Sequence, residues 1–389
     1  MEKDIVIGLK SPEAALTRPA PTGIEGPDTL HNAVRDLITT HHSLNPPAVP
    51  ILSAEPSPLE FLRFVHRNTP FVVRNGARDW PAHKKWSAAY LADAMRDHRV
   101  NVAITPHGNA DSVIRLPSVD NNNTTGPDDN QTMLFIKPYE TSLPFPSVLS
   151  HIATQELQQT PPSPSHSPSP SPILYAQTQN DNLRTEYSPL FADIPPNIPF
   201  ARIALGNAAP DAVNFWLGNS HSTTALHKDN YENIYVQVLG RKHFVLLPPA
   251  AAPCVAERGV LAATYRPRHQ LDTEDADATT VAAASWTDLV AQIDTPESYT
   301  PFATWDPDAP AVNATPYSAY AQPLRVSLDA GDMLYLPALW YHKVAQSCSD
   351  EGICCAVNYW YDMDFSGPFW SMAGFVRGVG LLGVGDDGD

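Results

Sequence analysis

From Ala212 onward, apolar and β-branched residues come in short runs separated by polar or glycine-containing breaks, which is the rhythm of strand, turn, strand. The pattern predicts strands at 214–217, 223–229, 233–239 and 242–247, with Gly240 and Arg241 as a two-residue hairpin turn between the last two. A long, acidic, alanine-rich excursion at 253–321 interrupts the series, and strands at 324–328, 333–336, 341–346 and 353–359 complete it. Eight short strands of this kind predict a mainly β fold, a jelly roll (double-stranded β-helix) built from two facing sheets.

The upstream half mixes periods. Asp28 or Thr29 can cap a short helix that places Leu30, Val34, Leu37 and Ile38 on one face. Ser57, Pro58 and Glu60 form a capping box with proline at the first helical position, opening a helix through Val65. A strand at 70–74 stops at Asn75 and Gly76, a helix follows at 86–95, and further strands at 99–104, 133–136 and 173–179 flank a helix at 145–152. Residues 118–131 are rich in Asn and Asp and read as a surface loop, while Ser and Pro alternate through 161–172, an extended, solvated tract that can form neither helix nor ladder.

These patterns divide the chain into a loosely ordered N-terminal segment with one helix (1–56), an α/β part packed on the barrel with the Ser/Pro insertion (57–211), the barrel with its insertion (212–363, insertion 253–321) and a C-terminal tail or helix (364–389). The apolar stretch 368–384 contains Arg377 and several glycines, so it reads as a helix packing on the domain or on a second copy, not as a membrane span. Gly378, Gly380 and Gly383 spell G-x-G-x-x-G, but no full helix follows them and a dinucleotide site is set aside.

Composition narrows the picture. Proline, 40 of 389 residues, suits short strands and irregular connections and argues against a helical bundle. A formal net charge of −17 argues against direct binding to nucleic acid and is compatible with a basic protein substrate. Four cysteines are too few and too unevenly spaced for a secreted disulfide framework, and the start has no apolar core of signal-peptide length. A cytoplasmic or nuclear setting is therefore expected.

The chemistry concentrates in His227, Asp229 and His342. Residues two apart in an extended strand face the same side, about 7 Å apart at Cα, so His227 and Asp229 can bind one metal together. His342, at the end of an apolar run, is the best-placed third ligand. Two histidines and one carboxylate leave coordination positions open, as in non-haem Fe(II) oxygenases. A lone H-x-D pair would read as a surface strand; the set that also includes Lys242, Thr224 and Tyr175 raises it above that. His243 directly follows Lys242 and points to the opposite face, and His221 is left out of the site. Trp216, Trp340 and Trp360 read as core packing, and Cys354 and Cys355 as buried strand residues.

Residues 224–235 (TALHKDNYENIY), 241–249 (RKHFVLLPP) and 331–342 (GDMLYLPALWYH), with 212–218 (AVNFWLG) and 357–363 (VNYWYDM), resemble the JmjC (jumonji C) family of 2-oxoglutarate oxygenases. Within it they resemble the JmjC-only branch of bifunctional peptidases and lysyl hydroxylases. The resemblance covers most of the chain from about residue 56. It implies a cupin-like barrel with helical additions, Fe(II) on His227, Asp229 and His342, and 2-oxoglutarate held by Lys242 with Thr224 and Tyr175. An inward lysine in a barrel needs such an anion, because a buried ammonium is costly alone. Asn233 and Asn358 can steady the cosubstrate or the ligands, or can simply be satisfied polar residues inside a barrel.

The implied reaction consumes O2 and 2-oxoglutarate and hydroxylates C3 of a lysyl side chain in a protein, with a GTP-binding translation factor as the expected kind of target. A homodimer is expected on the same ground. Demethylation of methyl-lysine or methyl-arginine uses the same chemistry and stands as a rival. So do endopeptidase action on histone tails and a non-catalytic, metal-binding interaction module; a structural metal, however, needs no anchor such as Lys242.

Overall fold

Eight strands alternate between two facing sheets in the computed structural model, which describes residues 27–116, 132–158, 171–268 and 288–382. They are β1 (Ala212–Gly218), β2 (Thr224–His227), β3 (Tyr231–Leu239), β4 (Arg241–Leu247), β5 (Leu324–Leu328), β6 (Met333–Leu336), β7 (Tyr341–Ser347) and β8 (Cys354–Asp362). One sheet runs β6–β3–β8–β1 and is extended beyond β6 by Phe71–Val73 and Ile51–Leu52; the other runs β5–β4–β7–β2. Successive strands change sheet everywhere except from β4 to β5, which is the jelly-roll connectivity. The expected loose start, the 118–131 loop and all of the Ser/Pro tract before Ser171 lie outside the described residues.

The expected hairpin at Gly240 and Arg241 is not formed. β3 is paired on both edges by β6 and β8, and β4 by β5 and β7, so the chain crosses from one sheet to the other at Gly240. Gly240 has φ +71°, and a Cβ there would lie 2.6 Å from the Ser347 carbonyl oxygen, so only glycine fits. A Gly-Arg break looks the same in sequence whether the chain turns back or crosses over.

Both faces of the larger sheet are buried, which explains why its strands are continuously apolar. Val213, Phe215 and Leu217 of β1, Ile234, Val236 and Val238 of β3, and Cys355, Val357, Tyr359 and Tyr361 of β8 face a core shared with the upstream helices. Their alternates, Trp216, Tyr235 and Ala356, face the barrel interior with Phe244 and Leu246 of β4. The helix Pro58–Arg67 closes the outer core with Phe61 and Phe64. It starts at the expected cap, where the Glu60 N–H donates to Ser57 Oγ at 3.2 Å.

Helix Pro27–Leu44 is longer than expected and has Thr29 inside it; it buries Val34 and Ile38 but leaves Leu30 and Leu37 exposed. The 253–321 excursion is partly strand. Glu257–Pro267 pairs in parallel with Thr132–Lys137 and antiparallel with Leu289–Ile293 and Tyr299–Ala303, and the resulting sheet abuts β2. The C-terminal helix Pro368–Leu382 packs Val376 and Val379 against the cluster that holds Cys254 and Tyr341, and leaves Trp370, Met372, Phe375 and Leu382 exposed. Among the described residues, no helix is long and apolar enough to cross a membrane.

Candidate metal centre

His227 ends β2 and His342 is its register partner on β7, so the two imidazoles lie side by side with ring centroids 4.1 Å apart. Asp229 lies just past the end of β2, not within a strand reaching 229, and its carbonyl oxygen accepts a hydrogen bond from the Leu339 N–H at 2.8 Å. Leu339 makes that bond from a left-handed conformation, φ +67°, the kind of local strain that structures keep where it serves a site. Asp229 Oδ2 lies 3.8 Å from His227 Nε2 and 3.6 Å from His342 Nε2. One ligand atom from each residue lies within 4.8 Å of the others, close enough to share a single ion.

The histidines are set in the right tautomer. His227 Nδ1 donates to the Ala225 carbonyl at 2.8 Å and His342 Nδ1 to the Trp340 carbonyl at 3.0 Å, which leaves both Nε2 lone pairs turned toward Asp229. Burial, with His227 adding to it, pushes the His342 pKa down to about 4, so the ring is neutral and ready to bind a metal near pH 7. Nitrogen and carboxylate donors, with neither thiolate nor a fourth ligand joining them among the described residues, fit Fe(II) with open positions.

Behind the triad is a pocket of about 430 Å³ lined by all the expected site residues: Tyr175, Thr224, His227, Asp229, Asn233, Lys242, His342 and Asn358. Lys242 is 3% exposed and donates to the Tyr175 hydroxyl at 2.9 Å. Burial disfavours its ammonium, and the Tyr175 and Tyr235 phenols and the Cys354 thiol around it are themselves pushed up by burial, so near pH 7 they give it polar contacts and no counter-charge. Among the described residues, no carboxylate is hydrogen-bonded or ion-paired to Lys242. A buried cation lining the same pocket as three metal ligands, with no carboxylate paired to it among the described residues, fits a carboxylate of a small diacid. Another hollow, of about 560 Å³, lies beside His41, His42 and Trp340 and brings no comparable ligand set together.

The cupin-like domain model matches residues 57–367. The human bifunctional peptidase and (3S)-lysyl hydroxylase JMJD7 is 37% identical over 321 residues, covering 82% of this chain and 86% of that protein. Lysine-specific demethylase JMJ32 of Arabidopsis thaliana is 34% identical over 80% of this chain and 81% of its own length, and JmjC domain-containing protein E of Dictyostelium discoideum 33% over 80% and 83%. The chain belongs to the cupin-like JmjC family of 2-oxoglutarate dioxygenases.

In this JmjC barrel the two asparagines form a chain: Asn358 donates to Asn233 at 3.1 Å and accepts from Trp216 Nε1 at 3.0 Å. Trp216 and Trp360 are buried but line the pocket, so reading them as core alone needs correcting. Their alternation within β1 and β8 puts them on the inner face, whereas Trp340 lies outside the pocket and donates to Asn68. His243 points away as expected, between Ser327 and Ser347. Sequence reasoning missed Tyr235 and Gln179, which also line the pocket. Tyr235 could have been found, since it shares the inner face of β3 with Asn233. Gly218 gives Tyr175 its place: a Cβ there would lie 2.5 Å from the Tyr175 ring.

Proposed function

We propose that the chain is an Fe(II)- and 2-oxoglutarate-dependent hydroxylase that acts at C3 of a lysyl residue in a protein substrate, with a GTP-binding translation factor as the kind of target. The observation that carries this reading is the convergence of His227, Asp229 and His342 on the same pocket that Lys242 and Tyr175 line. The three ligands would hold Fe(II), which supplies dioxygen activation when bound. Lys242 and Tyr175 bind and orient the distal carboxylate of 2-oxoglutarate, with Thr224 beside them, and Phe244, Leu336 and Val344 keep that end dry. Asn358 and Asn233, fixed by Trp216, hold their amide groups toward the same space.

The name of the human relative supports lysyl hydroxylation and also mentions peptidase action; that of the Arabidopsis relative supports demethylation as a second reading. Incubating the protein with Fe(II), 2-oxoglutarate and lysine or methyl-lysine peptides separates these outcomes. Hydroxylation adds one oxygen to the peptide mass, demethylation releases formaldehyde, and cleavage gives two shorter peptides. Formaldehyde without oxygen gain on any unmethylated lysine would reject the hydroxylase reading. Four free cysteines support a cytoplasmic or nuclear setting, and the exposed apolar residues of the C-terminal helix support a homodimer.

A further inference from the structure

Lys228 sits between two ligands of the triad, just past the end of β2, and Tyr341 directly precedes the third; alternation along β7 turns Tyr341 to the outer side of the smaller sheet, and Lys228 reaches the same side. There they meet on one carboxylate. Glu257 Oε2 accepts from Lys228 Nζ at 2.7 Å and from the Tyr341 hydroxyl at 3.0 Å, while Lys228 also lies over the Tyr341 ring, 4.8 Å from its centroid. The other oxygen, Oε1, accepts from Arg377 Nε of the C-terminal helix at 2.6 Å and from Arg377 Nη2. The Glu257 side chain is 4% exposed. Its burial works against ionisation, but Arg377 and Lys228 hold its pKa below the ordinary glutamate value.

We infer that Glu257 is a positioning residue for the metal triad, clamping the backs of β2 and β7 in register and tying the C-terminal helix to them through Arg377. This rests on the metal reading of His227, Asp229 and His342. The ligand atoms must stay within a few tenths of an ångström of a shared centre, yet β2 is short and Asp229 lies beyond its end. Lys228 is the residue that links the two, and a buried charge-assisted bond at its tip fixes the backbone between them. The same carboxylate fixes Tyr341, and with it the start of β7. Arg377 completes the charge balance, because a buried carboxylate with partners on one oxygen only would be strained toward protonation or solvent.

Co(II), whose ligand-field spectrum reports the geometry of its donors, is the probe for the test. The full-length wild-type, Glu257→Gln, Arg377→Met and Arg377→Lys proteins would be titrated with Co(II) under argon, with apo melting temperatures measured in parallel. The inference predicts that Glu257→Gln and Arg377→Met raise the Co(II) dissociation constant about tenfold and change the spectrum, the size expected for partners behind metal ligands. It predicts a smaller rise for Arg377→Lys than for Arg377→Met, since the charge is kept although the two-pronged contact to Glu257 is not.

A distant control, Asp193→Asn, should lower the melting temperature and leave the Co(II) spectrum alone. Wild-type affinity and spectrum in both Glu257→Gln and Arg377→Met, with only melting temperature reduced, would overturn the inference and leave the triad intact. A wild-type protein that bound no Co(II) would remove the metal reading itself. Should Glu257→Gln not fold, the contrast between Met and Lys at the partly exposed position 377 still decides the matter.

Discussion

Replacing Lys242 by methionine should have opposite effects on the empty and the cosubstrate-bound protein. Lys242 is 3% exposed and donates to the neutral Tyr175 hydroxyl, so in the empty protein its ammonium is desolvated without a counter-charge. An apolar side chain of similar length removes that cost and stabilises the empty fold by about 1–3 kcal/mol. At roughly 2 °C per kcal/mol for a domain of this size, the melting temperature should rise by about 2–6 °C.

Binding should move the other way. Truncating one partner of a buried, hydrogen-bonded charge pair costs about 3 kcal/mol, on the order of 100-fold in affinity. With Mn(II) in the metal site and 2-oxoglutarate at about 100 times the wild-type dissociation constant, wild type gains about 2.7 kcal/mol and the variant only about 0.4 kcal/mol. Scanning fluorimetry with and without 2-oxoglutarate measures both effects. A variant that is less stable when empty and still responds to 2-oxoglutarate would refute the anchor.

Other sites give sharper single readings. Gly218→Ala puts a Cβ 2.5 Å from the Tyr175 ring and 2.7 Å from Gln346 Nε2; succinate assays should show the KM for 2-oxoglutarate raised about tenfold with a smaller loss in kcat, and an unchanged KM would exclude the proposed role of Tyr175. Asp193, 3% exposed, accepts from Lys85, Trp86 and Tyr90, so Asp193→Asn should cost about 2–4 kcal/mol in urea unfolding at pH 7. Despite its burial, these partners hold the Asp193 carboxyl below its ordinary value of 3.8. The contribution is therefore complete above that pH and is lost as pH falls through the lower folded value, and a deficit that instead grew in acid would contradict the assignment. The same hydrogen bond pushes the Tyr90 phenol up to about 12, and ultraviolet titration of Asp193→Asn should show one tyrosine ionising earlier. Ser57→Ala removes a helix cap and should cost about 1 kcal/mol, read from the shift in urea midpoint.

The His227/Asp229 pair is legible because its spacing is local. His227 and Asp229 are two apart, and His342, at the end of an apolar run, is the best-placed candidate for the third ligand. Strand alternation accounts for only part of the pair: Asp229, beyond the end of β2, is held by its backbone bond to Leu339, a contact between distant segments that no alternation pattern encodes. Gly240 shows the same limit, since the break is visible in the sequence and the pairing that decides its direction is not. Glu257 was hidden inside a stretch read as an insertion, because its partners, Lys228, Tyr341 and Arg377, come from three separate parts of the chain. Trp216 and Trp360 were misread in part because burial and pocket lining look alike in a barrel whose interior is also its site.

The most direct measurement is succinate formed per chain from 2-oxoglutarate under air with Fe(II), compared between wild type and His227→Ala, Asp229→Ala and His342→Ala. The account predicts turnover in the wild type and its loss in all three variants, each of which should also fail to retain one Fe(II) per chain after desalting. Turnover that survives in any one of them, with iron still bound, would contradict a single centre built from those three side chains.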